Sequence, residues 1–309
     1  MEITEVTEIE ADAVRRLTAV SQQRTLRLGE LKLSYVLDGA VRLKPRGWFP
    51  GTADQDWETN RRYLDPDGSL VGSIGGLLVE HGGRALLIDA GVGPQSAPAD
   101  PDNPVMGEIH GGTFPDSLAR LGRTPDQVEA IAITHLHGDH VGWAAQPAFA
   151  GAEVLLTATE WEHRGAAAQH GVTAEMVGAL TPRVRMVEQG EEIFPGVRVL
   201  ATPGHTPGHA AFEITSVGAG AGDEAGAGDG SEVQRLIAFG DALHSPVQVR
   251  HPEWTVVADA DSEQAERTRR QLLEELATPG TVGFGVHFAD VVFGRVGRDS
   301  EGFGWVPER

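Results

Sequence analysis

The chain has 309 residues, 40% of them hydrophobic, with no cysteine and a formal net charge of −20. That is enough apolar material for a sizeable core, and the lack of cysteine excludes disulfides, thiolate metal sites and a cysteine nucleophile. So acidic a surface repels phosphate backbones and anionic bilayers, which points to small-molecule partners and not to nucleic acid or a membrane.

Residues 1–25 read as an acidic N-terminal arm, with a short helix over Ala11 to Val20. The opening Met1-Glu2-Ile3-Thr4-Glu5 lacks the basic and apolar regions of a signal peptide, and no run approaches the roughly 18 apolar residues of a membrane span, so the expectation is a cytoplasmic protein. From residue 26 to 309 no linker divides the chain, and a single domain is expected, with a homodimer as one option for its assembly. Leu26 to Leu37 alternates around Gly29-Glu30 as a strand pair. Ile74 to Glu80 and Ala85 to Asp89 read as apolar strands joined by the turn His81-Gly82-Gly83. A helix is expected over residues 115–122, then a short buried strand from Ile131 to Thr134. Val154 to Thr157 is a strand, and Ala158 to Arg164 opens a helix. Met176 and Leu180 read as the buried face of another. Val197 to Ala201, Ala210 to Ile214 and Leu236 to Phe239 are strands. Residues 216–232, Gly, Ala and acidic with almost nothing to bury, read as a flexible insertion. Asp261 to Leu276 has helical spacing, and Thr281 to Val286 is the last strand, running into His287.

The chemistry is concentrated in Thr134-His135-Leu136-His137-Gly138-Asp139-His140. Alternation along an extended segment lets His135 and His137 converge, and a turn at Gly138 re-aims Asp139 and His140. Four nitrogen and oxygen donors in six residues are costly to bury without a partner, and imidazole with carboxylate suits zinc, manganese, iron or cobalt. Three weaker segments follow in order. Ala201-Thr202-Pro203-Gly204-His205-Thr206-Pro207-Gly208-His209 aims a histidine from a tight loop. Gly240-Asp241 follows an apolar strand, and so does His287.

This ordered series, HxHxDH, TPGHTPGH, GD and a late strand-ending His, resembles the metallo-β-lactamase superfamily of metallohydrolases, from about Ile74 to Val296. His287-Phe288, Phe293-Gly294-Arg295-Val296, Gly240-Asp241-Ala242-Leu243-His244-Ser245-Pro246, His251-Pro252-Glu253-Trp254 and Asp139-His140-Val141-Gly142-Trp143 are similar to its methyl parathion hydrolase and lactonase-like branch. The resemblance implies an α+β fold, a four-layer αβ/βα sandwich with the site at one edge of two sheets. It implies two divalent ions, zinc above all. His135, His137 and His205 would hold the first, Asp139, His140 and His287 the second, and Asp241 would bridge them. Asp89 would orient a ligand histidine, and His209 would be structural or would support a ligand.

The implied reaction is hydrolysis of a small ester, lactone or organophosphate by a hydroxide shared between the ions, with Asp139 and Asp241 as the catalytic carboxylates. A phosphodiesterase or nuclease of the same fold, or a non-catalytic metal-binding protein, is the alternative. Trp48, Phe114, Trp143 and His244 are candidate pocket residues, with Phe49 as a further aromatic candidate. His110 is a candidate neighbour of the site, and His81, His163 and His170 read as surface histidines. The covering loops are expected over Trp48 to Tyr63, Gly91 to Phe114 and Gly165 to Leu180.

Overall fold

The computed structural model describes residue 12, residues 14–216 and residues 233–308. Residues 217–232 of the expected insertion lie outside the described residues, and so do residues 11 and 13 of the helix expected over Ala11 to Val20, of which residues 14–16 are helical and 17–19 a turn.

Two sheets form the centre. The first runs, in spatial order, Ser96–Ala97, Met106–His110, Leu31–Leu43, Leu70–His81, Arg84–Ile88, Ala130–Ala132, Glu153–Thr157 and Val184–Val187, with Thr25–Leu28 paired to the start of Leu31–Leu43. The second runs Glu192–Phe194, Val197–Ala201, Ala210–Thr215, Arg235–Ala238, Thr281–Phe284, Phe293–Asp299 and Gly302–Pro307. Strand alternation sorts the side chains into layers. In the first sheet Leu33, Tyr35, Leu77, Leu86, Ile88 and Leu155 point inward, against Phe212, Ile214, Leu236 and Val282 of the second. Their immediate neighbours Val36, Leu78, Leu87 and Val154 point outward under the helices Phe114–Arg120 and Ala174–Leu180. On the second sheet Ala211 and Ile237 face outward, beneath Leu272, Leu273 and Leu276 of the helix Ser262–Leu276. The result is the four-layer αβ/βα sandwich, with the central strands Leu70–His81, Arg84–Ile88, Ala130–Ala132, Arg235–Ala238 and Thr281–Phe284 buried on both sides. Each of these large apolar side chains is worth about 1.5–3 kcal/mol on burial.

The hairpins and strands read from the sequence are present, with boundaries shifted by one to four residues for most of them. Met176 and Leu180 are buried, as their helical spacing requires. Three features were not legible. Leu31–Leu43 continues six residues past the expected end, because the polar stretch Asp38-Gly39 is a bulge in an otherwise paired strand. Phe293–Asp299 and Gly302–Pro307 form a closing hairpin rich in Gly and Arg, where an apolar alternation is hard to see. Residues 45–63 are three short helical turns, Pro45–Trp48, Asp54–Thr59 and Arg61–Tyr63, around a cluster of Phe49, Trp57 and Trp254.

Among the described residues no helix is long and apolar enough to cross a membrane.

Candidate metal centre

Parallel pairing places the site. Arg84–Ile88, Ala130–Ala132 and Glu153–Thr157 are parallel neighbours in one sheet, and Arg235–Ala238 and Thr281–Phe284 are parallel in the other. Their C-terminal ends therefore open on one edge of the sandwich, the usual position for a site between α/β elements. Asp89, His135, Asp241 and His287 all leave the sheets there. His137 starts the turn Gly138–Val141, which re-aims Asp139 and His140.

All seven expected ligand residues come together in two groups. Ligand atoms of His135, His137, His205 and Asp241 lie within 4.8 Å of one another, and so do those of Asp139, His140 and His287. Asp241 Oδ2 stands 3.5 Å from His205 Nε2 and 3.8 Å from His135 Nε2. Its Oδ1 stands 3.2 Å from both His140 Nε2 and His287 Nε2. One carboxylate oxygen thus faces each group. Asp139 Oδ2 is 3.5 Å from His287 Nε2.

The remaining ring nitrogens are held from behind. His140 Nδ1 donates to Asp89 Oδ2 at 2.9 Å, as the sequence led us to expect. His205 Nδ1 donates to Asp259 at 3.0 Å, and His287 Nδ1 to the Ser73 carbonyl at 2.7 Å. His135 Nδ1 lies 3.0 Å from Thr134 Oγ1, which itself donates to Asp89. These contacts fix tautomers with lone pairs aimed at the centre. His209 Nδ1 donates to the Thr202 carbonyl, and its Nε2 accepts from the backbone N–H of Asp241, 3.1 Å away. It holds the backbone that carries Asp241.

The donor chemistry fits divalent cations. His135 Nε2 and Asp241 Oδ1 are buried without a hydrogen-bond partner, a costly state for atoms that nothing else satisfies. His137 Nδ1 and His205 Nε2 approach to 3.1 Å, and His140 Nε2 and His287 Nε2 to 3.2 Å, the crowding of a convergent ligand set. Burial holds His135, His137 and His205 well below the usual histidine range, so they are neutral donors. Burial pushes His209 down to about 4. It also opposes charge on Asp241, but His140, His287 and His244 outweigh it and keep that carboxyl well below the ordinary value. At His140 and His287 burial opposes the cation, yet Asp241 outweighs it and both sit above the ordinary histidine value.

His137, Asp139, Asp241 and His287 of the two groups form the floor of a cavity of about 560 Å³, a size suited to a small molecule. Its walls include Val41, Leu43, Trp48, Val105, Met106, Ile109 and Val257, and all three covering loops contribute. Trp48 and His244 line it, their rings edge to face at 5.3 Å. Both ring nitrogens of His244 are buried without a hydrogen bond, although Nε2 is 3.1 Å from Asp241 Oδ2. Phe114 and Trp143 do not line it. Phe114 packs against Phe149 in the outer core, and the Trp143 indole donates to Asp38 at 2.8 Å, so both are committed to the scaffold. Phe49 is likewise core. His110 is exposed beside Glu108 and contributes nothing to the floor. His170, read as a surface histidine, lines the cavity and stacks on His137.

Two supporting residues had no sequence signal. Glu160 accepts from Leu136 N, Thr206 Oγ1 and Gly208 N at 2.7, 2.7 and 3.1 Å, clamping the two histidine loops together. Gly208 permits this, since a Cβ there would lie 2.1 Å from Glu160 N. Asp259 arrives from a loop 54 residues beyond His205.

A family profile described as metallo-beta-lactamase superfamily matches residues 76–221. Over 99 residues the chain is 36% identical to an N-acyl homoserine lactonase of Bacillus thuringiensis, a match covering 31% of this chain and 37% of that protein. The chain therefore spans little more than a third of the length of that curated relative. Two solved structures superpose with TM-scores of 0.75. One is AidC, a dizinc quorum-quenching lactonase in complex with a product N-hexanoyl-L-homoserine (22% identity, 94% of this chain and 98% of that one). The other is the hydrolase AbOPH in the beta lactamase superfamily (24% identity, 94% and 99%). Fold, motif order and profile agree: the chain carries a metallo-beta-lactamase superfamily domain.

Proposed function

We propose that this protein is a binuclear metal-dependent hydrolase that opens a small, uncharged lactone or ester with an apolar arm. The observation that carries the reading is Asp241, which turns one oxygen to each ligand group at the floor of a mostly apolar cavity. His135, His137 and His205 would hold one ion and Asp139, His140 and His287 the other, with Asp241 shared. Two such ions, zinc by preference, supply a water-derived nucleophile at neutral pH and polarise the bond under attack.

The chain's own residues account for the rest. The substrate's apolar arm would lie along Leu43, Val105, Met106 and Ile109. His244, which lines the cavity and makes no hydrogen bond through its ring, would hydrogen-bond the carbonyl oxygen. Asp139, whose side chain is 30% exposed, would carry the proton to the departing alkoxide. Among the described residues no Lys or Arg lines the cavity, which favours an uncharged substrate over a phosphodiester or an RNA strand. The related lactonases support a lactone in particular.

The test is metal analysis of purified protein together with hydrolysis of N-hexanoyl homoserine lactone, aryl esters, phosphotriesters and RNA. Two ions per chain and cleavage of the lactone or ester are expected. Asp241→Asn should lose at least about 100-fold in kcat/KM, the scale on which a charge-stabilising group acts. Full activity and metal content in Asp241→Asn, or preferential cleavage of RNA, would overturn the proposal.

A further inference from the structure

We propose that His170 is a positioning residue for His137, setting that ring by stacking where the other ligand imidazoles are set by hydrogen bonds; this rests on the ligand reading above. Of the five imidazoles in the two groups, four have their outer nitrogen held: His135 by Thr134, His140 by Asp89, His205 by Asp259 and His287 by Ser73. Among the described residues no hydrogen bond reaches Nε2 of His137. Its ring instead lies against His170, centroids 3.9 Å apart and planes inclined by only 18°.

The contact is built into the backbone. His170 ends the turn Ala166–His170, and Gly171 closes it at φ 83. This turn is pressed onto Gly138, the residue between His137 and Asp139. A Cβ on Gly138 would lie 3.2 Å from the His170 carbonyl oxygen and 3.3 Å from that of Gly171, so a side chain there would crowd the turn away from the ligand loop. The stacked ring restricts rotation of His137 about its Cβ–Cγ bond. It therefore keeps Nδ1 aimed at the centre, 3.1 Å from His205 Nε2. A flat ring is what the role needs; its nitrogens are not.

That distinction gives the test. The full chain is stripped with chelator and titrated with Co²⁺, following bound ion per chain by equilibrium dialysis and the visible d–d absorption. Wild type should take up two ions. His170→Phe keeps a flat face and should bind both within about twofold of wild type. His170→Asn and His170→Ala remove the face and should weaken one of the two ions by about 10-fold, the lower end of the effect of removing a ligand's support, altering the absorption of that ion alone. Circular dichroism checks the fold; should the Ala variant not fold, the Phe and Asn pair decides. Unchanged binding in Asn or Ala, or a Phe variant as poor as Asn, overturns the role of His170 and leaves the ligand set standing. A wild-type chain that takes up no Co²⁺ overturns the ligand set and this role together.

Discussion

Asp259 Oδ1 accepts a hydrogen bond from His205 Nδ1 at 3.0 Å, and the other oxygen of the same carboxylate faces Arg269 Nη2 at 3.9 Å, all three side chains lying out of contact with solvent. Arg269 is anchored by donating to the carbonyls of Pro252 and Ala242. A guanidinium, a carboxylate and an imidazole thus form a buried row ending at a ligand nitrogen. Asp259→Asn should weaken metal retention by about 10- to 100-fold in chelator competition. Asp259→Ala should in addition cost about 3–5 kcal/mol in denaturant unfolding, because it leaves Arg269 an uncompensated buried charge. Equal stability of the two variants would show that Arg269 does not depend on Asp259.

Asp38 accepts five N–H donors: Gly112, Phe114 and the Trp143 indole on one oxygen, Val92 and Gly93 on the other. It ties the strand Leu31–Leu43 to the loops that border the cavity. Burial pushes its carboxyl above the ordinary 3.8, against the pull of those donors. The sign follows from linkage. A carboxyl whose folded pKa is raised contributes most to stability below the unfolded value. That part is lost as pH rises through the folded value, and the curve is flat above it. Asp38→Asn should abolish this segment of the stability–pH profile. It should also cost about 2–4 kcal/mol at neutral pH, since an amide N–H₂ would meet donors that need an acceptor. Urea unfolding at several pH values measures both.

Met106 lies on the apolar wall and is 39% exposed, so it can be changed without disturbing the core. Met106→Glu should raise KM for substrates with a long apolar arm by roughly 5- to 30-fold, about 1–2 kcal/mol of lost contact. It should leave kcat little altered, the pattern of lost uniform binding. A series of lactones of increasing arm length makes the comparison; an equal effect on the shortest and longest would place the arm elsewhere.

Glu160 predicts a different outcome. Glu160→Ala strands the donors of Leu136, Thr206 and Gly208, and should destabilise the fold by about 2–4 kcal/mol. Because it frees the histidine loops from each other, kcat should fall even at temperatures where the variant is fully folded. An unchanged kcat in folded protein would confine Glu160 to a stabilising role.

The contrast between His135–His140 and these supports explains what the sequence could and could not reveal. Four candidate ligands sit within six residues, where the spacing itself carries the geometry. The resemblance carried by the motif order then pointed to His205, Asp241 and His287. Asp89, at the end of its strand, was reached through the same resemblance. Asp38, Glu160 and Asp259 are single carboxylates in unremarkable surroundings, and only the tertiary fold brings each to its partners. His170 was misread for the same reason, since nothing local marks the turn that lays it on His137. Phe114 and Trp143 failed in the opposite way. Proximity in sequence to a covering loop and to the ligand cluster suggested the pocket, but burial and the Asp38 acceptor draw both into the scaffold.

The division of ligands between the sheets has a mechanical side. His135, His137, Asp139 and His140 leave the first sheet, whereas His205, Asp241 and His287 leave the second, and the facing centres of the two sheets meet through apolar side chains, with polar ties such as Glu160 to Thr206 and Ser73 to Ala289 nearer the site. Ions seated in the centre would rivet the halves of the sandwich at one rim. Their binding energy then adds to the cohesion between halves, by an amount that grows with the logarithm of free ion over its dissociation constant. The rim proposed to perform chemistry is therefore also the rim at which chelation would first let the sandwich splay.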